Sequence, residues 1–111
     1  MPKSMHTIML KHDHPLSYEE FMERIFWREG FTFATPAIEI YNKIRRGTFH
    51  SDVKTRKEIM EELGLSHSQY YHILSTLRAV GLIVKYGGEY KSSNEFEYRL
   101  KRLIEFVEKW K

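Results

Sequence analysis

The chain has 111 residues, of which 41% are hydrophobic and 30% charged, and a formal net charge of +3 at pH 7. This length and apolar content suit one compact domain, and the mild basic excess is compatible with nucleic acid without requiring it. The absence of cysteine excludes a disulfide scaffold and a thiolate zinc site. No apolar run approaches the roughly 20 residues that span a bilayer, so we expect a cytoplasmic protein without a membrane segment.

The first sixteen residues, 1–16, lack clear periodicity, and we interpret them as an N-terminal arm. Three histidines of this arm, His6, His12 and His14, invite a metal site because imidazole is a common metal ligand. No further ligand of defined geometry and no catalytic carboxylate accompanies them. Solvated histidines explain the pattern better, and we predict no metal site.

Residues 17–30 are predicted to form an N-terminal helix. Ser17 and Glu20 have the spacing of a capping box, and Gly30 is expected to end the helix. Apolar residues recur at helical spacing, which predicts a buried stripe. The stripe comprises Tyr18, Phe21, Met22, Ile25 and Phe26. Trp27 lies off this stripe and either covers the edge of the core or faces a partner.

Thr35 followed by Pro36 predicts the start of the next helix, because threonine is a favoured N-cap and proline fits the first helical position. The helix should end at Gly47, and residues 48–53 should supply a small strand. Its predicted buried residues are Ala37, Ile40, Tyr41 and Ile44.

Cations are densest between residues 43 and 57, where the chain has Lys43, Arg45, Arg46, Lys54, Arg56 and Lys57. A solvated face with cations favoured at a helix C-terminus explains Arg45 and Arg46. The second group lies instead at the start of a helix, where side chains and amides bind phosphates. We therefore predict phosphate contacts there.

Two short helices follow. Thr55 and Glu58 have capping-box spacing and predict the start of the first, which Gly64 should end in a left-handed conformation. Ser66 and Gln69 repeat the box at the start of the second. The buried stripe of this second helix is predicted to be Tyr70, Ile73, Leu74 and Leu77.

A β-hairpin is predicted after these helices. Gly81 should end the second helix, and the strand from Leu82 to Tyr86 should reverse at Gly87 and Gly88, a pair that suits a two-residue turn. Two helices joined by a glycine-containing corner and followed by a hairpin are typical of a winged helix-turn-helix.

The run from Leu63 to Ile83, L-G-L-S-x-S-x-x-x-x-x-L-x-x-L-x-x-x-G-L-I, resembles winged-helix repressors of the ArsR-like and MarR-like kind. The resemblance implies that residues 66–79 form the recognition helix and residues 85–91 the wing. Many such repressors carry Arg or Lys early in the recognition helix, where this chain has Tyr71 and His72. The scarcity of Asn and Gln beside many Lys, Arg and Glu favours an archaeal or thermophilic source.

Residues 93–111 are predicted to form a C-terminal dimerisation helix, capped by Ser92 and Glu95. Its apolar residues have heptad spacing, which favours a homodimer with antiparallel or crossing helices. They are Phe96, Leu100, Leu103, Val107 and Trp110. The alternative is that the helix closes over Phe21, Phe26 and Phe31 of its own domain.

The predicted fold is mostly α with a small β-hairpin wing. It is a single winged helix-turn-helix domain over residues 17–111, with its core at residues 35–91 and additional N-terminal and C-terminal helices. The predicted DNA-binding surface joins the helix start after the basic run, the recognition helix and the wing. Its residues are Lys54, Thr55, Arg56, Lys57, His67, Ser68, Gln69, Tyr71, His72, Ser75, Arg78, Lys85, Tyr86 and Lys91. Gln69 can pair with adenine through both amide atoms unless its own helix cap uses them.

No sequence motif specifies a reaction, so we expect neither an enzyme nor a cofactor. The predicted function is sequence-specific binding of double-stranded DNA by a dimeric transcriptional regulator. Two alternatives remain. One is a winged-helix protein–protein interaction module of replication or transcription machinery, and the other is a nonspecific architectural DNA-binding protein.

Overall fold

The fold is described from a computed structural model, for residues 17–26 and 31–111, with side chains considered from residue 33 onward in the second helix. In chain order its elements are α1 (Tyr18–Ile25), α2 (Phe31–Arg46), β1 (Phe49–His50), α3 (Val53–Leu63), α4 (His67–Val80), β2 (Ile83–Tyr86), β3 (Glu89–Ser92) and α5 (Glu95–Trp110). The described part of the chain is therefore mostly helical with a small sheet, as predicted. No helix in it combines the length and apolar character needed to cross a membrane.

The three strands form one antiparallel sheet in the order β1–β3–β2. The hairpin places Val84 opposite Lys91 and Tyr86 opposite Glu89, so the reversal falls at residues 87 and 88, as predicted. Strand β1 pairs with the other edge of β3, with Phe49 opposite Tyr90. The sheet thus connects the chain between α2 and α3 to the hairpin that follows α4.

The hydrophobic core is formed by α1, α2, α4 and the inner face of the sheet, with one residue from α3. Helix α4 lies at its centre, because the whole predicted stripe of this helix is buried. The buried residues are Met22, Ile25, Phe26, Ala34, Ala37, Ile40, Ile44, Phe49, Ile59, Tyr70, Ile73, Leu74, Leu77, Leu82, Ile83 and Tyr90. Burial of such apolar side chains is the main stabilising contribution to the fold.

The ends of α4 form as the sequence predicts. The Ser66 side chain accepts a hydrogen bond from the Gln69 amide, and the Gln69 side chain accepts one from the Ser66 amide, which completes the capping box. At the other end Gly81 adopts a left-handed conformation with φ 98°, and the Leu82 amide donates to the Leu77 carbonyl. Gly64 ends α3 in the same way.

Helix α2 begins earlier than predicted. It starts at Phe31 rather than after Thr35, so Pro36 lies inside it. Proline removes one backbone hydrogen bond of a helix, which is a local cost. Packing offsets this cost, because Ala34 is buried and the Phe33 ring lies 6.3 Å from that of Phe26.

Two predicted helix caps are also wrong. Helix α3 is capped by Asp52, not Thr55, because the Asp52 carboxylate accepts from the Thr55 amide at 2.8 Å and the helix starts at Val53. Before α5, Ser92 is the last residue of β3, held in the sheet opposite Ile83 and unable to act as a cap. The Ser93 hydroxyl instead accepts from the Glu95 amide.

Helix α1 starts after Ser17, as predicted, but ends at Ile25 with Phe26 as its cap residue. The Phe26 amide already donates to the Met22 carbonyl there. The predicted extension to Gly30, Trp27, the N-terminal arm and its histidines lie outside the described residues.

Candidate nucleic-acid interface

The outward face of α4 is polar because the opposite face is consumed by the core. Ser68, Tyr71, Ser75 and Arg78 follow each other at spacings of three, four and three residues, which puts them on one side of the helix. His72 lies beside this row, and all five residues are exposed. Helix α4 therefore presents hydroxyl groups, an imidazole, a phenol and one fixed positive charge to solvent.

Gln69 is occupied by the helix cap. Its Oε1 accepts from the Ser66 amide at 2.8 Å, which leaves only the amide nitrogen for a ligand. A paired contact with adenine needs both the oxygen and the nitrogen. The alternative raised by the sequence, in which Gln69 serves its own cap, is therefore the one observed.

Three of the predicted contact residues, His67, Tyr71 and His72, make aromatic contacts. The His67 and Tyr71 rings lie 4.8 Å apart, and the Tyr71 ring meets Tyr70 edge-on at 5.3 Å. His72 meets the Phe33 ring of α2 at 5.3 Å. Tyr71 is thus supported from two sides, whereas His72 also joins α4 to α2.

The start of α3 carries three cations in a row of four residues. Lys54 and Lys57 are exposed, whereas Arg56 is half-buried and its buried Nε has no hydrogen-bond partner among the described residues. The amide of Thr55 is already bonded to Asp52, and this bond holds the pKa of the Asp52 carboxyl below its usual value. Because a carboxylate occupies this helix start, phosphate would be met here by side chains more than by amides.

The hairpin is tied to the start of α3. The Ser51 amide donates to the Gly88 carbonyl at 2.8 Å, which connects the hairpin tip to the residue before the α3 cap. At the tip Tyr86 is 73% exposed, and the Lys91 ammonium lies 5.7 Å from its ring centroid. Lys91 also lies 3.7 Å from Glu89, so part of its charge is balanced locally.

The start of α3, helix α4 and the hairpin converge on two buried tyrosines, Tyr70 and Tyr90. Burial raises the pKa of the Tyr70 hydroxyl, and the charges acting on it include Arg56 of α3. Burial also raises the pKa of Tyr90, an effect that Arg78 of α4 opposes. The Lys85 ammonium lies 5.9 Å from the Tyr90 ring centroid. One cation from each of the three segments, Arg56, Arg78 and Lys85, therefore lies near Tyr70 or Tyr90.

The basic run at the end of α2 does not join this cluster as a unit. Lys43 forms a salt bridge with Glu62 of α3 at 3.3 Å, and the Arg45 guanidinium lies 5.5 Å from the Tyr41 ring centroid. These contacts agree better with cations on a solvated helix face than with a phosphate-binding role for the end of α2. The sequence did not predict the role of Ser51, because its hydrogen bond to Gly88 depends on strands that are distant in the chain pairing in one sheet.

A model of an archaeal protein family matches residues 14–111, which include every residue described here. The chain belongs to this archaeal family. Neither the curated proteins nor the solved structures compared with the chain gave a match.

The predicted contact residues at the start of α3, on α4 and in the hairpin combine cations with hydroxyl groups. The predicted set contains six fixed cations, Lys54, Arg56, Lys57, Arg78, Lys85 and Lys91. The outward face of α4 adds hydroxyl groups that can donate and accept hydrogen bonds. Such a mixture binds phosphates through the cations and leaves polar side chains to contact bases.

Proposed function

We propose that the chain is a winged helix-turn-helix protein that binds double-stranded DNA sequence-specifically, as a homodimeric transcriptional regulator. Helix α4 is the recognition helix and lies in the major groove, and the β2–β3 hairpin is the wing. The order α2, β1, α3, α4, β2, β3 supports this fold, since it is a helix-turn-helix followed by a hairpin with a third strand at its edge.

The observation that carries the proposal is the convergence of three segments around Tyr70 and Tyr90. Phosphates on one side of the groove contact Lys54, Arg56 and Lys57, and these contacts set the position of the protein without reading sequence. On the other side the wing contributes Lys85 and Lys91 to the adjacent backbone.

Base contacts fall to the outward face of α4. Arg78 is its only fixed charge and can bind guanine through two hydrogen bonds, whereas Ser68 and Ser75 can bond several base edges. Tyr71, supported by His67 and Tyr70, offers a ring edge and a hydroxyl. Gln69 is assigned to the cap and not to a base.

Selection of bound sequences from a random duplex pool tests this function. Enrichment of a motif is expected. Recovery of bound duplexes that share no motif would favour the nonspecific architectural alternative instead. If the intact protein binds no duplex at low salt, the second candidate, a protein–protein interaction module, takes its place. That candidate draws support from the single fixed charge on the outward face of α4.

Two lysine variants separate phosphate contact from general charge. Lys57→Ala should reduce the slope of log affinity against log salt by about 0.9, the value for one lost phosphate contact. Lys109→Ala removes the same charge from another exposed helical site, in α5, and should leave the slope unchanged. Arg78→Ala should cost about 1–3 kcal/mol and relax preference at one base position.

A further inference from the structure

Helix α5 has an apolar face that the rest of the described chain leaves uncovered. None of its residues is buried. Six large apolar side chains are between 38% and 74% exposed: Leu100, Leu103, Ile104, Phe106, Val107 and Trp110. A contiguous apolar surface of this kind marks an interaction site.

Among the described residues, the hydrogen bonds and the ring contact that join α5 to the domain body come from the start of the helix, Phe96 and Arg99. The Phe96 amide donates to the Gly81 carbonyl at 3.0 Å, and the Phe96 ring meets Phe21 edge-on at 5.4 Å. Arg99 donates from Nη1 to the Ala79 carbonyl at 2.6 Å. These contacts fix the direction of the helix, while the apolar residues beyond Arg99 project from the body.

We infer that a second copy of this chain covers the exposed face, with the two α5 helices antiparallel. The residues Leu100, Leu103, Val107 and Trp110 are spaced three, four and three apart, a pattern that reads the same in both directions. In an antiparallel pair Leu100 therefore meets Trp110 of the second copy, and Leu103 meets its Val107. Four such layers fill the seam, and Phe96 remains with its own domain.

The charges beside the seam support the antiparallel direction. One flank carries Glu97, Lys101, Ile104, Glu108 and Lys111, all exposed. In the antiparallel pair this flank meets itself in reverse, so Glu97 faces Lys111 and Lys101 faces Glu108. Ile104 meets its own copy in the middle. Opposite charges beside a seam favour one orientation over others.

A parallel pair would bring this flank against the other one. Lys101 would then lie beside Arg99 and Arg102 of the second copy, which are like charges, whereas Glu97 would lie beside its Arg99 and Glu108 beside its Lys109. This flank is matched by opposite charges along its whole length in the antiparallel direction, whereas the parallel direction mixes like and opposite charges. The opposite flank of the antiparallel pair places Arg102 near Lys109 of the second copy. Because each α5 is already folded and anchored at its base, pairing orders few additional groups, which lowers the free-energy cost of association.

This inference specifies the homodimer of the proposed function, and its tests contain no DNA, so that the two fail separately. The chain has no cysteine, so a single introduced thiol reports alone. Ile104→Cys should give a covalent dimer with a short bismaleimide. The matched control Glu105→Cys, on the side of α5 away from the apolar face, should give no covalent dimer in the same reaction.

Light scattering of the unmodified chain should give the mass of two copies. A monomeric mass overturns the inference, as does a dimer in which Ile104→Cys fails to cross-link. The second result would mean that the copies pair in parallel or through another face.

Charge reversal tests the register. Glu97→Lys should weaken dimerisation about tenfold, because two symmetric ion pairs become repulsive. Adding Lys111→Glu to the same chain should restore most of the affinity. Glu105→Lys makes the same charge change on the far side of the helix and should have little effect. Equal weakening by Glu97→Lys and Glu105→Lys, or no recovery in the double variant, overturns the register.

Discussion

Helices α4 and α5 are similar in length, 14 and 16 residues, and both are amphipathic, yet they relate to the core in opposite ways. Helix α4 buries its whole apolar stripe in its own domain and turns polar side chains to solvent. Helix α5 buries no residue and turns its apolar stripe to solvent. The same apolar spacing thus gives a face that packs in the core in α4 and a face that is exposed in α5.

The contrast shows that apolar spacing identifies a face but not what covers it. In α4 the covering elements are α2, the sheet and α1, which meet it from several sides. In α5 the contacts with the described body come from Phe96 and Arg99, near the start of the helix. Substitutions at comparable positions of the two helices therefore test the contrast directly.

The largest expected difference is in core truncation. Leu77→Ala, at a fully buried site, should lower the free energy of unfolding by about 3–4 kcal/mol through lost burial and a residual cavity. Leu103→Ala, at a site that is 47% exposed, should cost under about 1 kcal/mol where the chain is monomeric. Urea unfolding at low concentration measures both. Equal losses would mean that α5 packs on its own domain.

The junction of the two helices should be nearly as sensitive. A Cβ at Gly81 would lie 2.8 Å from the Phe96 amide nitrogen, and the backbone there is left-handed. Gly81→Ala should therefore cost about 2–3 kcal/mol.

Gly64→Ala is the matched control for this junction. Gly64 is also left-handed, but nothing lies within 4 Å of the added Cβ. Its cost should be smaller, roughly 1–2 kcal/mol, from the backbone alone. Thermal unfolding ranks the two variants, and an equal loss would show that α5 moves aside freely.

The helix starts differ by a smaller amount. Ser66→Ala removes the side-chain acceptor of the α4 capping box and should cost about 1 kcal/mol. Asn94, at the start of α5, makes no capping hydrogen bond, so Asn94→Ala should change stability by less than about 0.5 kcal/mol. Chemical denaturation resolves this difference. A larger effect at Asn94 would contradict the assignment of the caps.

The smallest predicted effect concerns DNA affinity. Tyr71→Ala should weaken duplex binding about threefold to fivefold, the factor that roughly 1 kcal/mol of lost contact gives. Tyr98 of α5 is similarly exposed, 55% against 41%, and Tyr98→Ala should leave affinity unchanged. Fluorescence anisotropy with a labelled duplex measures both. The reverse ranking would assign the nucleic-acid surface to α5.

The sequence predicted those features that depend on neighbours in the chain. The capping box at Ser66, the left-handed residue at Gly81 and the hairpin turn all depend on residues within one or two turns. Two overlapping cap signals precede α3, and spacing alone could not rank Asp52 above Thr55. The early start of α2 depends on packing between Phe33 and Phe26, which lie on different helices.

The candidate site divides in the same way. Helical periodicity placed Ser75 and Arg78 on the outward face of α4, where they are found. That Gln69 is used by the cap and that His72 meets Phe33 depends on three-dimensional geometry. The effect of the Arg56 charge on the pKa of Tyr70 acts between two helices and has no counterpart in the spacing of residues.

The bond from Arg99 to Ala79 and the bond from Phe96 to Gly81 fix α5 to the end of α4. If two copies pair through α5 and contact DNA through α4, these two bonds set the distance and the rotational phase between the two recognition helices of the dimer. A duplex whose half-sites lie at another phase of the double helix would bind only one of the two α4 helices at a time. Inserting single base pairs between half-sites should therefore reduce affinity, with recovery after one full turn of about 10 base pairs.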